Sequence, residues 1–300
     1  MRRGSSAMRR IAIKPRFLSQ PIASPWLWSV FAVGIAGFFA FYLFPFALGV
    51  YYSVMDVIDG RFVGLVHYRA LFNSALFRTA LANTARFTFL SLGLIFVISF
   101  GTACAVHFSK VGRAVPRGLL FLPIAIPAVS ISFVWLWLFH YRGLLSRWAF
   151  NLFGANINLL SGPSLYVPLL ALYLWRYAGF SILIYLAGLS SLPQEQLDCF
   201  YMESKNRWRL VWMVLLPHER PRTFYMLLLN MIFSMSIFRE IYAVWAHYPP
   251  RQLYMVQHFV YNNFMRLQYE RATAGAVTLA LFVWLLLAGL VLWERKASHG

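Results

Sequence analysis

Residues 192–221 read LPQEQLDCFYMESKNRWRLVWMVLLPHERP. They lie between two apolar runs, each long enough to cross a bilayer, yet they are too charged to remain in one. The first residues carry helix-start signals: Ser191 is placed to cap, Pro193 suits a first turn, and Gln194 stands where a capping-box partner would. Apolar or small residues then recur at Leu197, Phe200, Tyr201, Ser204, Trp208, Val211, Trp212 and Leu215. Steps of three and four make one helical face. Glu195, Glu203, Lys205, Asn206 and Arg209 lie largely off that face, and Pro217 and Pro221 interrupt the chain beyond it. The pattern predicts one or two short amphipathic helices at a membrane surface. Two uses fit such an element: it anchors in headgroups through Trp208 and Trp212, or it offers its charges to a protein. An anchor does not need acidic residues beside basic ones, which favours the protein partner.

Over its full length the chain has 300 residues, of which only 12% are charged; soluble domains carry roughly 25%. Mean hydropathy is +0.62. A spanning helix needs about 20 apolar residues, and six runs qualify: 26–54, 86–108, 117–140, 164–190, 223–245 and 272–293. The first is too long for the apolar core of a signal peptide and reads as a retained span. The expected fold class is therefore an all-α integral membrane protein with six transmembrane helices and the 192–221 stretch as a loop between the fourth and fifth. The expected division is a basic N-terminal tail over 1–25, a single transmembrane domain over 26–294 that carries the 191–221 loop, and a tail over 295–300.

The net charge is +18. In a soluble protein this would suggest nucleic acid, but no basic stripe lies on a soluble face, so nucleic acid is not an expected partner. Lys and Arg favour cytoplasmic loops. With the N-terminus inside, the inner segments hold Arg2, Arg3, Arg9, Arg10, Lys14, Arg16, Lys110, Arg113, Arg117, Lys205, Arg207, Arg209, Arg220, Arg222, Arg295 and Lys296, sixteen in all. The outer loops hold nine: Arg61, Arg69, Arg78, Arg86, Arg142, Arg147, Arg251, Arg266 and Arg271. Both termini and the 191–221 loop are thus expected on the cytoplasmic side of a cell (inner or plasma) membrane. Pro45, Pro123, Pro127, Pro168 and Gly179 break or soften spans. Such breaks occur around translocation paths, and Pro and Gly are also simply common in membrane helices.

Taken together, these residues resemble the permease subunits of binding-protein-dependent ATP-binding-cassette importers of the carbohydrate type, the group that includes maltose and glycerol-3-phosphate permeases. Leu192-Pro193-Gln194-Glu195 matches the opening of that family's cytoplasmic "EAA" loop. Asp198-Cys199-Phe200 stands where Glu-Ala-Ala would be, and Glu203-Ser204-Lys205 where Asp-Gly-Ala would be; Pro217 and Pro221 match its closing prolines. The likeness continues through Phe62 to Tyr68, Asn83-Thr84, Phe121-Leu122-Pro123, Pro127, Trp135, Trp175 to Gly179, and Leu186-Ala187-Gly188-Leu189. The departures are Ser204 for the central glycine, the bulky Phe200 for an alanine, and Ala246-His247-Tyr248-Pro249-Pro250 where the family often carries a Gly-Gly-Pro turn. Loss of the glycine bears on the usual turn between the two short helices of the loop.

The resemblance implies a non-enzymatic translocation half for a sugar or related polyol. Its partners would be a second permease subunit, two cytoplasmic ATP-binding-cassette subunits and an extracytoplasmic solute-binding protein. Glu195, Asp198, Glu203, Ser204, Lys205 and Arg207 would contact the ATPase, with Asp198 and Glu203 as the leading charge partners. The chain itself has no phosphate-binding loop: Lys14, Lys110, Lys205 and Lys296 are followed by Pro, Val, Asn and Ala. ATP would belong to the partner subunits, and no cofactor or metal is expected in this chain; Cys104 and Cys199 form no CxxC pair, and no HExxH occurs. Arg176 and an Arg239–Glu240 pair sit within or beside spans. Charge there is functional by default, although a long basic side chain also snorkels or pairs structurally. A sugar path would draw on Trp175, Arg176, Tyr177, Asn230 and Ser234. The competing classes are a secondary transporter or channel, which would favour internal repeats and paired intramembrane acids, and an integral membrane enzyme on lipid or glycan, which needs convergent polar groups at one face.

Overall fold

The computed structural model describes residues 25–109, 117–154, 159–160 and 162–298. Arg2, Arg3, Arg9, Arg10, Lys14 and Arg16 of the basic tail, Lys110 and Arg113, and residues 299–300 lie outside the described residues. The chain divides into two compact units, 1–48 and 49–300. In the first, α1 (Pro25–Phe38) runs through a π-helical turn at 39–43 into α2 (Phe44–Val54). The turn sits just before Pro45, whose missing N–H interrupts the regular ladder. The apolar residues of this helix are not buried by the protein, as lipid-facing residues need not be.

The second unit begins at Gly49 within α2, which leads into a short hairpin. β1 (Met55–Asp56) pairs antiparallel with β2 (Arg61–Phe62). Asp56 Oδ1 accepts the N–H groups of Ile58 and Asp59, which holds the turn. Then follow α3 (Val66–Asn73), α4 (Ala75–Phe108), α5 (Leu122–Ala125), α6 (Ala128–Phe139), α7 (Leu144–Phe153), α8 (Tyr166–Leu189), α9 (Gln194–Glu203), α10 (Arg207–Leu210), α11 (Leu216–Ser236), α12 (Phe238–Trp245), α13 (Val256–Met265) and α14 (Tyr269–Ser298). Among the described residues, six stretches are long and apolar enough to span a membrane: Trp28–Val54, Ala75–Phe108, Ala128–Leu152, Tyr166–Leu189, Arg207–Trp245 and Tyr269–Lys296.

Three spans differ from the hydropathy reading for identifiable reasons. The fifth runs from Arg207 rather than 223, because a π-helical turn at Val211–Leu215 joins α10 to α11 and the helix continues past Pro217 and Pro221 instead of being interrupted there. The second begins at Ala75 rather than 86. Its first turns hold Asn83 and Thr84, which end the apolar run in sequence but are buried in the fold. Asn83 Nδ2 donates to the carbonyls of Arg251 (2.8 Å) and Tyr254 (3.0 Å), and Thr84 Oγ1 accepts the Val256 N–H at 3.1 Å. The third is broken at Ile126-Pro127, between α5 and α6. The Ile126 carbonyl at the break accepts Arg176 Nη2 at 2.8 Å, the internal satisfaction that a broken helix at membrane depth requires.

The main core lies where α4 packs along α8 and α11 crosses both. Phe87, Ile95, Tyr173, Tyr177, Tyr185, Leu189 and Met226 fill it. Its phenols are satisfied within the bundle: Tyr173 donates to the Asn230 carbonyl at 2.9 Å and Tyr185 to Thr223 at 3.2 Å. Gly179 lets the 3₁₀ turn at 117–121 press against α8, because a Cβ there would overlap the Leu120 carbonyl. A second, smaller core of Leu71, Phe77, Tyr254, Val256 and Phe259 joins α3, the start of α4 and α13.

Candidate functional site

The 191–221 segment leaves α8 at its C-terminal end and returns into α11, and a polar clamp holds those two ends together. Gly188 has no side chain, so the Glu219 carboxylate and the Arg222 stem occupy the space a Cβ would take. Arg222 Nη2 donates to Ser191 Oγ at 2.9 Å, and Ser191 Oγ donates to the Gly188 carbonyl at 2.7 Å. His218 Nε2 lies 3.1 Å from the same carbonyl. Arg222 Nη1 and His218 Nε2 approach Glu219 Oε1 at 3.8 and 3.9 Å, and Glu219 is fully buried. Sequence reasoning does not single out Glu219, His218 or Arg222. The one signal for them is their position around the closing prolines, opposite Gly188.

Ser191 therefore ties the loop to α8 and does not cap α9. That helix starts at Gln194, with Pro193 as the N-cap residue and without a side-chain cap, and Gln194 Nε2 donates to Asp198 instead of closing a capping box. The continuous apolar face is also corrected. Leu197 and Phe200 are buried, but Trp208 and Trp212 are 74% and 68% exposed, while Leu210 and Leu215 turn inward. The cause is the non-helical break at 204–206, which resets the helical phase. Ser204 closes α9 with φ −150° and ψ 139°, an extended conformation open to any residue, so no glycine is required. Ser204 Oγ accepts the Asn206 N–H at 3.2 Å, and Asn206 Oδ1 accepts the Trp208 N–H at 2.9 Å to cap α10.

Glu195, Asp198, Glu203, Lys205 and Arg207 all lie on the exposed side of this loop, with Ser204 half-buried between them. Glu195, Asp198, Cys199 and Met202 form one outward stripe of α9, and Met202 is 85% exposed. Beside it an open cleft of about 970 Å³ runs between α9 and the start of α11, lined by Glu195, Cys199, Met213, Pro217 and His218. Among the described residues, no ion pair engages the charges of α9, α10 or the break between them.

The five path candidates do not share one surface. Trp175 is partly exposed and its ring lies 5.4 Å from that of Trp135. Tyr177 is buried and stacks on Phe233 at 4.5 Å. Asn230 and Ser234 are buried between α4, α8 and α11. Asn230 Nδ2 donates to Ser181 Oγ and the Met226 carbonyl, both at 2.9 Å; Ser234 donates to the Met231 carbonyl at 2.7 Å. Arg176 is buried and pairs with Glu240 at 3.5 Å. The neighbouring Arg239 is more exposed than either, so the sequence-adjacent pair Arg239–Glu240 is replaced by one across α8 and α12. Residues adjacent in a helix point about 100° apart, which sends the two charges to different surroundings.

A family model described as the inner membrane component of binding-protein-dependent transport systems matches residues 95–295, the region from mid-α4 through α14. The chain belongs to this family. It is thus a multi-pass membrane subunit that serves translocation, not an enzyme. It is 25% identical to the arabinooligosaccharides transport system permease protein AraP of Bacillus subtilis, over 98% of this chain and 94% of the relative. It is 25% identical to the sn-glycerol-3-phosphate transport system permease protein UgpA of Pectobacterium atrosepticum, over 81% of this chain and 85% of that one. Among solved structures, a chain of a bacterial ABC transporter involved in the import of the acidic polysaccharide alginate superposes with a TM-score of 0.76 at 19% identity, covering 90% of this family member and 96% of its own length. That likeness establishes the fold, which this chain shares with a chain of that transporter.

Proposed function

We propose that this permease-family chain is one translocation half of an ATP-driven importer for a sugar or related polyol. It would work with a second permease subunit, two ATP-binding-cassette subunits that bind the nucleotide, and an extracytoplasmic solute-binding protein. The observation that carries the reading is the 191–221 loop. Its α9 and α10 are exposed, bear both signs of charge and make no ion pair among the described residues, while its base is clamped to α8 and α11. A partner pushing on α9 would move both spans together, because Arg222, Ser191 and Glu219 tie the loop's two ends. Import then follows from a two-state equilibrium in which nucleotide binding to the ATPases favours one arrangement of the spans. Glu195, Asp198, Glu203, Ser204, Lys205 and Arg207 would form the contact, with both termini cytoplasmic in line with the Lys/Arg distribution. The transmembrane domain over 26–294, with cytoplasmic tails at 1–25 and 295–300, is the corresponding division. On the path, the buried Arg176 and the amide and hydroxyl of Asn230 and Ser234 would become accessible as spans separate, with Trp175 and Tyr177 beside them.

The relatives named for arabinooligosaccharide and glycerol-3-phosphate transport support the carbohydrate class. The test is copurification with the partner ATPase and measurement of ATP hydrolysis with and without binding protein and sugar. Glu203→Lys is expected to weaken ATPase recruitment by about tenfold, the scale of reversing one close charge contact. Unchanged recruitment and transport in that variant would remove Glu203 from the contact, and a native chain that recruits no ATPase would overturn the importer reading.

A further inference from the structure

A second polar feature lies at the far end of the fifth span from the 191–221 loop. The end of α3, the outer part of α13 and the start of α14 enclose a cleft with about 770 Å³ of empty space, open to solvent. Arg266 and Arg271 line this cleft and both are exposed. Among the described residues no carboxylate lines it, and neither guanidinium forms an ion pair. The nearest acid in sequence, Glu270, accepts the Val57 N–H at 3.3 Å instead. Arg266 Nη2 donates to the Tyr248 hydroxyl at 2.6 Å, which holds the guanidinium beside an exposed ring.

Asn262 supplies an independent pointer. It lines the same cleft and is only 6% exposed. Its Nδ2 donates to the His247 carbonyl at 2.8 Å and the Tyr254 hydroxyl at 3.3 Å, leaving the buried Oδ1 without a donor. A buried acceptor left unmade is costly, and because this oxygen is closed to solvent, a ligand O–H reaches it only as the cleft wall shifts. Guanidiniums recognise carboxylate or phosphate through charge-assisted bonds, and the exposed Tyr248 ring presents an apolar face to sugar carbons. We propose that this cleft binds an acidic saccharide, a sugar bearing a carboxylate or phosphate, through Arg266, Arg271 and Asn262. The inference deepens the importer reading by naming a substrate class, and it rests on that reading for its role in transport.

The test is calorimetric titration of the full-length chain in nanodiscs of neutral lipid with glucuronate, glucose 6-phosphate and glucose. The two acidic probes separate carboxylate from phosphate recognition. At least one acidic probe is expected to bind about tenfold or more tighter than glucose, and Arg266→Gln/Arg271→Gln to abolish that preference. Asn262→Leu is expected to weaken acidic and neutral sugars alike. Should it fail to fold, the exposed double-arginine variant carries the test alone. Equal affinity for glucose and the acids, no binding of any probe, or full retention of the preference in the arginine variant would overturn the site. So would loss of solute-binding-protein association in that variant with no sugar bound to the native chain, which would assign the cleft to a protein carboxylate. ATPase recruitment by the same preparation separates the two claims: recruitment without acidic-sugar binding overturns only the cleft, and binding without recruitment overturns only the importer reading.

Discussion

Ala246 ends α12 with φ 51° and ψ −126°, a conformation that suits glycine and strains any residue with a Cβ. It opens the 246–250 stretch that the family resemblance sets against a Gly-Gly-Pro turn, whereas Ser204, the other departure from glycine in that resemblance, is extended and unstrained. The two sites should respond oppositely to the same substitution. Ala246→Gly is expected to stabilise the chain by about 1 kcal/mol, and Ser204→Gly to loosen 204–206 without any gain; thermal unfolding in detergent checks both. Arg176 poses a different problem. It and Glu240 are buried at 3.5 Å from each other, so removing one strands the other. Arg176→Met is expected to cost about 3–5 kcal/mol, and Arg176→Met/Glu240→Met far less, because the apolar pair leaves no buried charge behind. A double-mutant cycle reads the difference, and an additive result would show that the pair does not interact.

Among the elements, the 191–221 loop depends on its base more than on its own helices. α9 has ten residues, too short to hold alone in water, whereas α10 continues through a π-helical turn at Val211–Leu215 into α11. Leu197, Phe200, Leu210 and Leu215 bury against the bundle, and the Gly188–Ser191–His218–Glu219–Arg222 clamp holds the ends. Gly188→Val would drive a side chain into the Glu219 carboxylate and Arg222. The expected cost is about 1–3 kcal/mol of stability, with stimulated ATP hydrolysis uncoupled from transport while ATPase recruitment persists. Hydrolysis still tightly tied to uptake in that variant would show that the clamp does not transmit motion.

For the whole molecule, pH reaches the fold through α13, outside the spans. His258 is buried among Phe238 and Tyr254, and burial pushes its pKa down to about 4. Its Nδ1 accepts the Met255 N–H at 3.2 Å, which fits a neutral ring. The unfolded chain binds a proton below about pH 6.5, whereas the folded chain resists protonation until about 4. Stability is therefore unaffected by this group above pH 6.5 and is lost as pH falls from 6.5 toward 4, by roughly 3 kcal/mol at most. The Tm of the native chain should fall over that window, and His258→Phe should flatten the fall.

Six spans, a charged loop between the fourth and fifth, and the family resemblance spread across them were legible in the sequence alone, because hydrophobicity and local chemistry encode them. Those signals are additive along the chain, so they survive without knowledge of partners. Helix packing settled whatever depends on which side chain meets which. Asn83 and Thr84 lie outside the 86–108 apolar run by hydropathy, and inside the buried helix once the 251–256 segment satisfies them. Glu240 reads as the partner of Arg239 until α8 brings Arg176 to it. Ser191 reads as a helix cap until Arg222 claims its oxygen. Local sequence cannot reveal these pairings, because a polar group in a membrane protein takes its meaning from its distant partner, and only the packing of one helix on another supplies that partner.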